Sequence, residues 1–168
     1  LVLAQEIFGV NQTMRDVADY YAEEGYVVLV PDLFWRQEPA VELDAANDMP
    51  RAFGLYQGFD EAKGVPDLQT AISVLRARPE VRAHGGKVGV LGFCLGGKLA
   101  YLAACRTDAD VAVGYYGVGI EAALAEAADI QCRLVLHIAE LDGFCPPPAR
   151  EAIVQDQSGR EKVELYVY

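Results

Sequence analysis

Val88–Gly89–Val90–Leu91–Gly92–Phe93–Cys94–Leu95–Gly96–Gly97–Lys98–Leu99–Ala100 is the stretch on which the reading of this chain turns. An apolar, partly β-branched run enters a glycine-flanked cysteine, and an Ala/Leu-rich segment continues to Cys105. That order reads as strand, sharp turn and helix. Its centre has the form G-x-C-x-G, the nucleophile-elbow pattern with cysteine in place of serine. Glycines on both sides let the helix pack close to the sheet and leave Cys94 projecting at the helix amino terminus. There the helix dipole is expected to lower the thiol pKa, and the backbone N–H of Leu95 points toward a developing oxyanion. The competing reading is a buried structural cysteine in a tight turn; the strand before and the helix after favour the nucleophile.

Working outward, apolar strands alternate with amphipathic helices. Leu1–Gln5 reads as a short buried strand. Asn11 offers an N-cap for a helix through Glu24, with Met14, Val17, Ala18 and Tyr21 as its apolar face and Gly25 as its stop. Tyr26 to Val30 reads as a strand ended by Pro31, and a second helix is expected from Pro66, placed in its first turn, with Leu68, Ala71, Ile72 and Leu75 as its stripe. Further strands are expected at Lys87–Leu91, Val111–Tyr115, Leu134–Ile138 and Val163–Val167. Helices are expected at Cys94–Cys105, near Glu121–Ala127 and at Pro148–Gln155. This alternation predicts an α/β fold, a mostly parallel sheet with helices on both faces. Phe34 to Ala62 breaks the rhythm with a weak helical pattern around Arg51–Phe59, as a lid or pocket wall does.

With 168 residues the chain is one domain. Fourteen basic against twenty-five acidic residues leave a net charge of −11, which argues against nucleic acid and anionic membrane surfaces as partners. No apolar run approaches the roughly 18 residues of a membrane-spanning helix. Cys94, Cys105, Cys132 and Cys145 form no C-x-x-C pair and no metal-ligand spacing, so reduced thiols of a cytoplasmic protein are expected. Both ends lie within apolar runs, Leu1–Ala4 and Val163–Tyr168. The expectation is therefore an excerpt of a longer domain, lacking its opening strands and a carboxyl-terminal segment.

A cysteine nucleophile needs a base and an orienting carboxylate. In the chain order nucleophile, acid, histidine, the acid follows a later strand, and both Glu140 and Asp142 stand just past Leu134–Ile138. The histidine is missing: His84 sits in a glycine turn and His137 within a strand, and neither fits the order. Glu6 closes the first strand, where it either contacts the thiol or caps a turn at Gly9, and Ile7 would supply a second oxyanion N–H. Cys105 and Cys132 read as core residues.

Gln5–Glu6–Ile7–Phe8–Gly9–Val10–Asn11, Pro31–Asp32–Leu33, Gly89 to Gly97 and Gly114–Tyr115–Tyr116–Gly117–Val118–Gly119 together resemble dienelactone hydrolase (carboxymethylenebutenolidase) sequences, in order and over nearly the whole chain. The resemblance implies a compact α/β-hydrolase fold and a Cys-His-Asp triad. In it Cys94 is the nucleophile, Asp142 rather than Glu140 is the acid, and the histidine lies a few residues beyond Tyr168. Glu6 matches the carboxylate that helps deprotonate the thiol, and Leu95 and Ile7 match the oxyanion-hole amides. Arg51 matches one of two arginines that hold the substrate carboxylate; the second follows the histidine. The implied reaction opens a small anionic enol-lactone, dienelactone to maleylacetate in the breakdown of aromatics, through an acyl-thioester and without metal or organic cofactor, in a monomer. Tyr115, Tyr116 and Trp35 either line the pocket or pack locally, and Cys145 is a hydrophobic filler or a second reactive thiol. Two alternatives stand beside this one: another ester or lactone on the same scaffold, and a redox-sensing domain in which Cys94 is oxidised rather than acylated. With its base outside residues 1–168, the chain by itself is expected to turn over little substrate.

Overall fold

A computed structural model describes residues 1–168. Five parallel strands form one sheet in the order in which the chain makes them: β1 (Val2–Ala4), β2 (Gly89–Phe93), β3 (Val111–Tyr115), β4 (Arg133–Ile138) and β5 (Val163–Val167). Parallel neighbours require crossover connections, which the helices supply. Because successive strand side chains face opposite ways, β1, β2 and β3 feed two cores. Val2, Ala4, Val90, Ala112, Leu134 and Leu136 join the larger one, against α5 (Leu95–Arg106) and α3 (Glu61–Ala77). Leu3 and Leu91 face the other way, onto Met14 and Val17 of α1 (Gln12–Glu23). Helices therefore lie on both faces of a parallel sheet, as expected.

Local chemistry explains the boundaries. Asn11 caps α1 by accepting a hydrogen bond from the Met14 N–H at 3.2 Å. Every residue of α5 from Leu95 to Cys105 is buried, so this helix has no solvent face; its one charged residue in that span, Lys98, is paired with Glu61 of α3. Three expectations need correction. Tyr26 to Val30 is no strand; it touches the sheet at one parallel bridge, Val2 to Leu29, because β1 is only three residues long and Pro31 has no N–H to continue the ladder. The second helix begins upstream of Pro66, at Glu61, because Asp60 caps it by accepting from the Ala62 N–H at 3.0 Å. Pro66 then falls inside α3. The segment Ile120–Asp129 winds as a 3₁₀-helix, entered through Gly119 at φ 88°.

The irregular stretch after Leu33 folds back on the site end of the sheet. Leu43 N–H donates to the Phe8 carbonyl at 2.9 Å, Val41 and Leu43 are buried, and α2 (Met49–Gln57) follows. A short helix, α4 (Pro79–Ala83), leads into β2, and α6 (Pro147–Gln157) joins β4 to β5. No helix is long and apolar enough to cross a membrane.

Candidate active site

Ligands of open α/β sheets bind beyond the carboxyl ends of the strands. At that edge stand Glu6 and Ile7 after β1, Cys94 after β2, Tyr116 after β3 and Asp142 after β4. Cys94 has φ 53° and ψ −113°, backbone that a non-glycine residue adopts only under constraint. The constraint is close packing. A Cβ at Gly92 would sit 2.0 Å from the Gly96 carbonyl oxygen, and one at Gly96 would sit 2.2 Å from that of Ala4. A Cβ at Gly97 would lie 2.4 Å from the Tyr115 oxygen. Backbone hydrogen bonds hold the turn from both sides: Cys94 N–H to the Tyr115 carbonyl at 3.0 Å, and Lys98 N–H to the Cys94 carbonyl at 3.2 Å.

Over the thiol lies an apolar cavity of about 50 Å³, lined by Ile7, Phe53, Tyr56, Cys94, Val118 and Phe144. Phe53 from α2 and Phe144 from the loop after β4 pack together with ring centroids 5.8 Å apart. Burial dominates the electrostatics here. It pushes the Cys94 thiol up to about 11, and the nearby Glu6 and Asp142 charges push the same way; the Leu95 N–H opposes them. The helix amino terminus acts in the expected direction through the Leu95 N–H, but desolvation of a thiolate outweighs it. Burial also raises the Glu6 carboxyl, and a hydrogen bond from the Tyr116 hydroxyl to Glu6 Oε1, at 3.2 Å, works against that rise.

The dienelactone hydrolase family model matches residues 1–168. The chain belongs to the dienelactone hydrolase family. It is 39% identical over 170 residues to a carboxymethylenebutenolidase of Pseudomonas putida, covering all of this chain and 71% of that one. With carboxymethylenebutenolidase 1 of Cupriavidus pinatubonensis it shares 38% identity over 164 residues, 96% of this chain and 68% of the relative. Among solved structures, a dienelactone hydrolase-like promiscuous phosphotriesterase from metagenomic libraries superposes with a TM-score of 0.77 at 27% identity, over 99% of this chain and 66% of that one. Family membership makes the chain a carboxylic ester hydrolase with an α/β-hydrolase fold.

Within this member of the family, the structure gathers Cys94, Leu95, Ile7, Glu6 and Asp142 at one edge; of these Cys94 and Ile7 line the cavity, and Arg51, Trp35 and Tyr115 do not. Asp142 Oδ1 accepts from the Phe144 N–H at 2.8 Å, a turn that carries Phe144 over Cys94. The Arg51 guanidinium is exposed and paired with Glu38. Trp35, half exposed, donates from Nε1 to Asp67 at 3.2 Å with the Arg36 guanidinium over its ring, so it anchors the loop rather than walling the pocket. The Tyr115 ring stacks between Phe93 at 5.2 Å and His137 at 4.3 Å, and only its carbonyl meets Cys94. His137 is thus held in an aromatic row that continues to Tyr166, and burial lowers its pKa. His84 ends α4. Cys145 is buried.

Sequence reading missed the cavity walls Phe53, Tyr56, Val118 and Phe144, and it missed Gln5. Gln5 is fully buried, accepts from the Leu33 N–H at 2.9 Å and donates to the Glu6 carbonyl at 3.3 Å, which orients the backbone that carries Glu6 and Ile7. A glutamine closing an apolar strand was the available signal.

Proposed function

We propose that Cys94 is the nucleophile of an enol-lactone hydrolase. The observation that carries the reading is a cysteine in strained left-handed backbone at the start of α5, facing a cavity of apolar side chains. The thiol gives its proton to Glu6 and its sulfur attacks the ring carbonyl carbon. The N–H groups of Leu95 and Ile7 stabilise the oxyanion; one such donor contributes roughly 3–4 kcal/mol of barrier lowering. The carbon–oxygen ring bond then breaks, and the electron pair leaves as an enolate, whose delocalised charge makes it a better leaving group than an alkoxide. Water, activated by the triad histidine that Asp142 orients, hydrolyses the thioester and frees the thiol. In this reading that histidine belongs to the chain after Tyr168, since His137 is stacked between tyrosines and His84 ends a helix.

The family's name supports dienelactone as the substrate, and hydrolytic opening of that ring gives maleylacetate. The cavity lining supports an apolar group next to the thiol, so a substrate carboxylate meets Arg51 only where Arg51 leaves Glu38. The redox-sensing alternative predicts sulfenate or a mixed disulfide at Cys94 and no acyl-enzyme after substrate addition, which intact-protein mass spectrometry separates from acylation. The test is Cys94→Ala in a protein that includes the residues following Tyr168, assayed on dienelactone isomers and neutral aryl esters. Loss of all turnover is expected; retained hydrolysis of either class overturns the reading.

A further inference from the structure

Tyr116 is a strained residue that the nucleophile and its neighbours do not explain. It has φ 39°, in left-handed backbone disfavoured for an aromatic side chain. The strain is imposed from both sides. Its N–H donates to the His137 carbonyl at 2.7 Å. The next residue, Gly117, is pressed onto the start of α5, where a Cβ would lie 2.7 Å from the Lys98 nitrogen. Its ring packs beside Phe93, with centroids 6.0 Å apart. This backbone sends the phenol across the strand ends to Glu6, two strands away in the sheet. Strain held in this manner at a strand end marks a position where a side-chain direction matters.

We propose that Tyr116 is a positioning residue for Glu6: its hydroxyl, donated to Glu6 Oε1, holds that carboxylate ionised and aimed so that it can receive the Cys94 proton. This rests on the assignment of Cys94 as nucleophile. Glu6 is faced by Tyr116 from the end of β3 and by Cys94 from the β2–α5 turn, with Asp142 beyond β4 and Tyr56 from α2 both acting on or beside the same thiol. None of these four is a cation. A phenol donor is therefore the group present that favours the charged carboxylate against burial. In the step concerned, the S–H proton passes to a Glu6 oxygen as sulfur bonds to the acyl carbon, and the leaving oxygen departs with the electron pair.

The 168-residue chain can be tested with p-nitrophenyl acetate, following acetylation of Cys94 by intact-protein mass spectrometry across pH, with Cys94→Ala as the background. Wild type should show an acid limb in its acylation rate, set by Glu6. Tyr116→Phe keeps the ring and removes the donor. Its limb should move to higher pH by about one unit, about tenfold in rate at a pH on the limb, with the high-pH plateau kept. Tyr116→Asn, which suits left-handed backbone, should do the same and serves if the first variant folds poorly. In a Glu6→Gln background neither change should move the profile further. Superposition of the Tyr116→Phe and wild-type profiles, or an equal loss at every pH, overturns the proposal. Wild-type acetylation of Cys94→Ala would instead overturn the nucleophile assignment.

Discussion

Alkylation of Cys94 by iodoacetamide near pH 8 is expected to run about twentyfold slower than that of an exposed cysteine. The reacting species is the thiolate. An unperturbed thiol of pKa ~8.5 is about one quarter ionised near pH 8, whereas Cys94, pushed up to about 11 by burial and by the Glu6 and Asp142 charges, is about one part in a thousand ionised. The ratio is about 240. A more basic thiolate is intrinsically more nucleophilic, and over about 2.5 pKa units a Brønsted slope of ~0.4–0.5 returns a factor of about 10–18. The net deficit is therefore about 13- to 24-fold. The assay is peptide-resolved mass spectrometry of the alkylation rate against pH; the buried Cys105, Cys132 and Cys145 serve as internal controls. Glu6→Gln removes one of the two anions that oppose the thiolate, so its inflection should fall to lower pH and its rate near pH 8 should rise. An inflection for wild-type Cys94 at or below ~8.5, or a Glu6→Gln inflection at higher pH, would refute the reasoning: the helix amino terminus would then outweigh burial.

Gly96→Ala places a Cβ 2.2 Å from the Ala4 carbonyl oxygen, which is backbone and cannot turn away, so a loss of about 3 kcal/mol or more is expected. Calorimetry should show the melting temperature falling by about 6–12 °C, while Gly54→Ala, in open space on α2, should raise it slightly by helix propensity. Glu38→Gln frees Arg51 and should lower KM severalfold for a carboxylated lactone, leaving that for a neutral aryl ester unchanged. Arg51→Gln should act in the opposite direction on the lactone alone, and equal effects on both substrates would remove Arg51 from substrate binding.

Legibility followed the range of the interaction. Cys94 and its three glycines were readable because a turn that tight tolerates few residues, and the same steric rule operates in the structure at Gly92, Gly96 and Gly97. The start of α3 was misplaced because Pro66 is a strong local signal, while the Asp60 cap is one side-chain hydrogen bond. Trp35 shows the reverse limit: an aromatic residue in a long loop can face a pocket or a neighbouring helix, and only the position of Asp67 on α3 chooses.

By itself the sequence determined the alternation of strands and helices, the parallel sheet and the turn bearing Cys94, because backbone sterics and hydrophobic periodicity are local. The tertiary structure alone decided the ionisation of that cysteine and the company it keeps. Glu6, Tyr116, Phe53 and the pair Asp142 and Phe144 come from four separate segments, and their gathering around one sulfur is a property of packing. Desolvation depends on what surrounds a group in space, and no spacing along the chain encodes it.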